Sequence, residues 1–264
     1  MQEVDPAPMS NQETIRLNKA ISDSGYCSRR QADALISSGK VMVNGVTASL
    51  GDRVTPQDEI TVNGELISSK GALVYIAFNK PVGITCTTDD RVKDNVINYI
   101  NHPERIFYIG RLDKASEGLL LLTNDGDIVN KILRAGNRHE KEYIVRVDRP
   151  VTEDFIRKMQ KGVPILDTVT KRCFAEKLSR FEFRIILVQG LNRQIRRMCE
   201  YLGYQVTDLK RVRVMDIELG NLPVGKWRDL TSEEKSQLMK AVVDSDNRTY
   251  AQRHQRTGGK RRKR

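Results

Sequence analysis

Between Gly110 and Gly118 the sequence packs Arg111, Asp113 and Lys114 into a short polar turn, which runs directly into the apolar residues 119–122 and stops at Asn124-Asp125-Gly126. A polar loop feeding a buried strand is a rigid mount for a reactive group, because the core fixes the backbone while the loop exposes the side chain. Asp113 is the candidate reactive group of this loop. Taken alone, the same aspartate also suits a turn, where it accepts hydrogen bonds from nearby amides. Two further polar segments decide between these readings. One is Lys141-Glu-Tyr143; the other is Gly190-Leu-Asn192-Arg193-Gln194-Ile195-Arg196-Arg197.

The elements that position these residues follow from periodicity. Residues 73–78 read as a strand that ends in the turn Asn79-Lys80-Pro81-Val82-Gly83, and residues 106–109 as a strand leading into the Asp113 loop. Residues 128–133 suggest a helix. Residues 141–147 alternate, with Tyr143, Val145 and Val147 on one face, so a core tyrosine is the plain alternative to a functional one. Thr152 caps a helix ending near Gly162, and residues 168–177 and 181–188 read as strands. Asn192 is the expected cap of a helix with Ile195, Met198, Cys199 and Leu202 inward and Gly203 as its stop. That pattern sets Arg196 beside the buried face, within reach of a half-buried carboxylate. Residues 211–219 alternate again, with Val212, Val214 and Asp216 opposite Arg213, Met215 and Ile217. Thr231-Ser-Glu-Glu opens a last helix. The fold class is therefore α+β, with a mixed, mainly antiparallel sheet and flanking helices.

Composition limits the partners. The net charge of +11 points to a polyanion, yet eight Lys/Arg and no acid lie in residues 248–264, and the body carries 37 basic against 34 acidic residues. Nucleic-acid binding must then be argued from local clusters. Cys27, Cys86, Cys173 and Cys199 and the three histidines are scattered without metal-ligand spacing. No metal is expected, and reduced thiols in a cytoplasmic protein are. No apolar run approaches membrane-spanning length, and no secretory signal is read at the start. Residues 1–14 are expected to be a loose arm, 15–67 a small module, 68–71 a linker, 72–243 the catalytic domain and 244–264 a disordered basic tail. With no exposed heptad or long apolar surface, a monomer is expected.

In the small module, two short helices end at Gly25 and Gly39, the second opened by the capping box Ser28-Arg-Arg-Gln31, and two Asn-Gly hairpins follow. Its charge is segregated. Residues 16–40 carry Arg16, Lys19, Arg29, Arg30 and Lys40 against two acids, whereas residues 41–65 carry Arg53 against four. The ordered phrases Arg16-Leu-Asn-Lys19, Cys27-Ser-Arg-Arg-Gln-Ala32 and Gly39-Lys-Val-Met-Val-Asn-Gly45 resemble the S4 RNA-binding domain, whose paired helices grip an RNA backbone.

Across residues 15–240 the chain resembles the ribosomal-RNA pseudouridine synthases of the RsuA/RluB/RluE/RluF group, which carry such an S4 domain. Residues 110–126, 137–143 and 188–199 carry the likeness. The resemblance implies detachment of a uridine at its N-glycosidic bond, rotation of the base and rejoining through carbon 5, in 23S (large-subunit) ribosomal RNA. It also allows a tyrosine transfer-RNA anticodon loop as a second substrate. Asp113 matches the essential aspartate, whose point of attack the family leaves debated, Arg196 the arginine paired with it, and Tyr143 the aromatic that stacks on the base. Arg111, Leu112, Lys114, Asn192, Arg193, Gln194, Ile195 and Arg197 become candidate RNA contacts, with Lys210, Arg211 and Arg213 as further phosphate contacts. An isomerisation implies no cofactor. The base must leave its stack, which favours a structured loop as target. The alternative is a non-catalytic S4-type RNA-binding or ribosome-assembly factor, which would have no need of Asp113, Tyr143 and Arg196 together.

Overall fold

The computed structural model describes residues 14–67, 71–89, 91–133 and 139–243; the expected arm up to residue 13, the linker residues 68–70 and the tail 244–264 lie outside the described residues. The chain divides into two compact units, residues 1–73 and 74–264. None of the described helices is long and apolar enough to cross a membrane.

The small unit is built by local chemistry. After β1 (Ile15–Arg16), helix α1 (Leu17–Asp23) turns Leu17 and Ile21 inward. Helix α2 (Arg29–Ser37) starts at the Ser28/Gln31 capping box, present with both reciprocal hydrogen bonds, and buries Ala32 and Ile36. Strands β2 (Val41–Val43) and β3 (Val46–Thr47) then pair around Asn44-Gly45. After β4 (Arg53–Val54), β5 (Ile60–Val62) and β6 (Glu65–Leu66) pair around Asn63-Gly64. All four turn residues have positive φ, the geometry a two-residue hairpin requires and Asn-Gly supplies. The sheet order is β3-β2-β5-β6, and β1 pairs with β4. One cluster (Leu17, Ile21, Ala32, Ile36, Val41, Val54, Val62 among others) forms its core.

The larger unit runs β7 (Tyr75–Lys80), α3 (Val96–Ile100), β8 (Phe107–Ile109), β9 (Glu117–Thr123), α4 (Gly126–Leu133), β10 (Lys141–Val147) and α5 (Glu153–Lys161). It continues with β11 (Pro164–Ile165), β12 (Thr168–Val169), β13 (Phe174–Lys177), β14 (Glu182–Leu187), α6 (Gln194–Tyr201), β15 (Val206–Val214), β16 (Ile217–Glu218), β17 (Trp227–Asp229) and α7 (Ser232–Val243). The main sheet has the order β13-β14-β10-β15-β9-β7-β17, with β16 on β15 and β8 on β9. Every pairing in it is antiparallel except β9 with β15.

Strand β9 is central, and this explains its unbroken leucine run. Leu119 and Leu121 pack with α4 and α7, while Leu120 and Leu122 pack with α3 and Leu112. A strand covered on both faces has no polar alternation. Each leucine is at most 1% exposed, and burial of one is worth about 1.5–3 kcal/mol, so the loop before β9 hangs from a stiff support.

Several sequence expectations are corrected. Strand β7 begins and ends two residues later than expected: Leu73 is exposed, while Asn79 and Lys80 are strand residues buried to 2% and 0%. The expected strand 168–177 is two short ones, β12 and β13. The alternation over 211–219 is interrupted by Met215 in the left-handed region, which folds β16 back on β15. Asn192 does not cap α6; the cap is Arg193, also left-handed at φ 50°, and no side chain caps the helix there.

Candidate active site

Asp113 sits in the loop between β8 and β9, half-buried, and its shape is held from three directions. The Ser116 amide donates to the Asp113 carbonyl at 3.0 Å, and the Gly83 amide to the Lys114 carbonyl at 2.8 Å. Lys80, fully buried at the end of β7, donates to the Ser116 and Pro81 carbonyls, each at 2.8 Å. From α6, Arg196 donates to the Ala115 carbonyl at 2.8 Å and the Ser116 hydroxyl at 3.2 Å, and on its other side to the Val206 carbonyl at 3.2 Å. Leu112 is buried beneath, its amide facing the Cys86 sulfur at 3.5 Å. The planar guanidinium fork lets Arg196 hold the Asp113 loop and the start of β15 at once.

Arg196 also supplies the electrostatics. Its residue exposure is 8%, and its Nε, buried without a hydrogen-bond partner, lies 3.9 Å from Asp113 Oδ2. Burial and then the Arg193 charge push its pKa below the ordinary arginine value, and Asp113 pulls it back. The Arg193 guanidinium lies 4.0 Å from the same carboxylate oxygen. These separations are contacts of charge, not hydrogen bonds, and leave the carboxylate oxygens free to reach a substrate. Strained left-handed backbone at a non-glycine residue gathers at functional sites, and here it aims Arg193 at Asp113.

Tyr143 lies on β10 and packs against the cores on both sides of it. Asp113, Tyr143, Arg193, Arg196, Lys141 and Arg211 line one cleft of about 600 Å³. That volume is in the range of small-molecule sites.

The other expected contacts divide by exposure. Arg111, Asn192 and Arg193 are exposed at the cleft, and Lys114 is exposed but paired with Asp94 at 2.5 Å. Arg197 closes the 192–197 turn, donating to the Asn192 carbonyl and side chain at 3.1 and 3.2 Å. Gln194 and Ile195 line the cleft but are 4% exposed: the Gln194 side-chain oxygen Oε1 accepts from the Leu191 amide, and Ile195 belongs to the core. In the small unit, Arg16, Arg29, Arg30 and Lys40 are exposed, whereas Lys19 pairs with Asp23 at 2.5 Å. Arg211 is not a surface phosphate contact. It is 3% exposed and donates from Nε to the Leu119 carbonyl at 2.7 Å. Arg213 is engaged by Glu142 and Glu140, and Lys210 by Glu117. Lys80 and Lys141 were given no role by the sequence reading. The available signals were a lysine closing an apolar run before proline, and one sharing strand parity with Tyr143 and Val145.

Comparison with known proteins fits this geometry. Residues 74–201 match the family RNA pseudouridylate synthase, and residues 15–60 match the S4 domain. The chain belongs to the RNA pseudouridylate synthase family, and it is an isomerase acting on RNA. It is 58% identical over 236 residues to the dual-specificity RNA pseudouridine synthase RluF of Escherichia coli K12, covering 89% of this chain and 81% of that protein. It is 36% identical over 244 residues to ribosomal large subunit pseudouridine synthase B of Bacillus subtilis, covering 89% and 99%. Among solved structures, one described as a crystal structure of pseudouridylate synthase aligns with a TM-score of 0.63 at 29% identity, over 85% of this chain and 99% of that one. The catalytic reading is thus favoured over the binding-only alternative.

Proposed function

We propose that the enzyme isomerises a uridine of large-subunit ribosomal RNA to pseudouridine, acting as a cytoplasmic monomer with Asp113 as its nucleophile. The observation that carries this reading is the orphaned Arg196 Nε, 3.9 Å from Asp113 Oδ2 in a cleft that Tyr143 also lines. A buried N–H without a partner is costly unless something completes it, and a carboxylate that moves toward the substrate or back can do so. Tyr143 offers the extruded base a stacking face, and Asp113 stands across the same cleft. The exposed cations of the small unit and of residues 111 and 193 neutralise phosphates, which positions RNA without reading its sequence. The names of the Bacillus subtilis and Escherichia coli relatives support the ribosomal substrate and the second reading respectively. In that second reading the enzyme also accepts another RNA, which we take to be a transfer-RNA anticodon loop.

The test is release of tritium from RNA carrying 5-tritiated uridine. Wild type is expected to release it, and Asp113→Asn to release none while binding RNA nearly as well. Turnover in the Asn variant would overturn the nucleophile assignment. Release from ribosomal RNA alone, with transfer RNA inert, would remove the second substrate.

A further inference from the structure

Among the described residues lining the cleft, three cations have no carboxylate partner: Arg111, exposed at the cleft, and Lys141 and Arg211, which are half-buried and buried. Arg211 stands opposite Tyr143 in the β10/β15 register, so the two side chains share a face of the sheet. Its Nε is taken by the Leu119 carbonyl, but its Nη2 is buried without a hydrogen-bond partner, and the residue is 3% exposed. Lys141 lies two residues before Tyr143 on β10, half-buried in the same cleft, and donates to the His139 carbonyl at 3.0 Å. Elsewhere in the cleft Arg196 faces Asp113, and Lys80, buried behind the Asp113 loop, is consumed by two carbonyls. Two like charges held together in a half-buried cleft are a standing cost, which an anion arriving there would relieve.

The reaction generates such an anion. When the C1′–N1 bond breaks, its electron pair goes to the uracil ring and spreads over O2 and O4; C1′ takes a pair from the Asp113 carboxylate, or from the C2′–H bond if Asp113 removes that proton. If the carboxylate adds instead to C6 of the ring, the displaced pair again moves onto O4. On every route the base becomes negative while Asp113 gives up its charge. Given that the base is received between Asp113 and Tyr143, as proposed above, we propose that Lys141 and Arg211 form an anion subsite that stabilises the charge on the uracil oxygens. Both are catalytic residues on this assignment, and the bond from Arg211 to Leu119 fixes the subsite to strand β9.

The titration of Lys141 gives the subsite a signature. Burial first, and then the Arg211 charge, bring its pKa down to about 8. The groups that face it are Arg211 from β15, His139 from the preceding turn, Tyr143 from its own strand, and Asp113, Arg193 and Arg196 across the cleft. His139 is itself pushed below the ordinary histidine value by burial and by Lys141, so it stays neutral over the alkaline range. Above about pH 8 the subsite therefore loses one of its charges.

The experiment uses the full chain and measures single-turnover tritium release at saturating RNA from pH 6.5 to 10, alongside RNA affinity, for wild type, Lys141→Met and Lys141→Arg. Removing one donor to a developing oxyanion costs roughly 100- to 1,000-fold in rate, and Lys141→Met is expected to lose that much at pH 7 with affinity changed less than about threefold. The wild-type rate is expected to fall above about pH 8, and Lys141→Arg, whose charge persists, to restore much of the rate and carry it past that limb. A Lys141→Met enzyme as fast as wild type, or a wild-type profile flat through pH 10, overturns the subsite. So does a loss of affinity without loss of rate, which would make these cations a phosphate contact. Failure of the nucleophile assignment is a separate result, since it shows as turnover in Asp113→Asn.

Discussion

The cations of the small unit and those of the catalytic cleft solve opposite problems. Arg29, Arg30 and Lys40 are exposed on the small unit, where water keeps their charge inexpensive and leaves it available to a phosphate. Lys80, Arg196 and Arg211 are 0%, 8% and 3% exposed, and they donate to the carbonyls of Pro81, Ser116, Ala115, Val206 and Leu119. In the first set net charge matters and geometry hardly does. In the second, each donor holds a particular piece of backbone around Asp113, and the charge is a by-product that the cleft puts to use. Affinity and alignment are thus carried by the same residue types in two regions, and they should fail separately.

The largest separation is expected at two glycines. Parallel pairing sets Gly118 against Arg211, and a Cβ at 118 would stand 2.2 Å from the Arg211 carbonyl oxygen, with φ at +109°. Backbone against backbone has no side chain to move aside, so Gly118→Ala is expected to cost more than about 4 kcal/mol in denaturant unfolding. Gly64 in the small unit also has positive φ, but a Cβ there meets nothing within 4 Å. Gly64→Ala should cost about 1–2 kcal/mol, the ordinary left-handed penalty. Equal costs would mean that the approach of β9 to β15 is not the constraint that seats Arg211 and the Asp113 loop.

A second pair of variants separates alignment from affinity. Lysine in place of Arg196 keeps a cation but cannot reach Val206, Ala115 and Ser116 together. Arg196→Lys is expected to lose about 1.5–3 kcal/mol of stability and roughly 100-fold in single-turnover rate at saturating RNA. Replacing Arg29, Arg30 and Lys40 by alanine should leave that rate unchanged and weaken binding, lowering the salt-dependence slope of the affinity by roughly 2. If the triple variant slows the saturated step, or Arg196→Lys only weakens binding, the division between the two sets is wrong.

The sequence shows the exposed set more readily than the buried one, and the reason is physical. Segregated charge around Ser28-Arg-Arg-Gln31, with Asn-Gly turns and a capping box, is written in local chemistry, and the small unit follows it closely. The leucine run of β9 likewise announces a strand buried on both faces. A buried cation has no local mark. Lys80 reads as a turn residue because of Pro81, yet it lies inside β7 because distant carbonyls on the Asp113 loop satisfy it. Arg211 reads as surface charge beside Lys210 and Arg213, and only the parallel partner β9 turns it inward. Asn192 has the composition of a helix cap, but Arg197 claims its side chain and the helix starts at a strained Arg193 instead. Tertiary partners made these choices.

Lys141 offers the smallest and sharpest test of the contrast, because a residue kept for charge in a buried place should weaken the fold that holds it. Its folded pKa is about 8 against an ordinary lysine value of 10.5, so between those values the unfolded chain binds the proton and the folded chain does not. Stability therefore rises with pH across that window, while below about pH 8 both states are protonated and the full cost of the buried charge is present. Lys141→Met removes the charge and keeps the apolar stem. At pH 7 it is expected to stabilise the larger unit by on the order of 1 kcal/mol, or about 2–4 °C in melting temperature, with the gain shrinking as pH approaches 10.5. Lys40→Met, at an exposed site, should change stability by no more than about 0.5 kcal/mol at either pH. A Lys141→Met protein that melts lower than wild type at pH 7 would move Lys141 into the class of Lys80, a cation whose bonds hold the loop together.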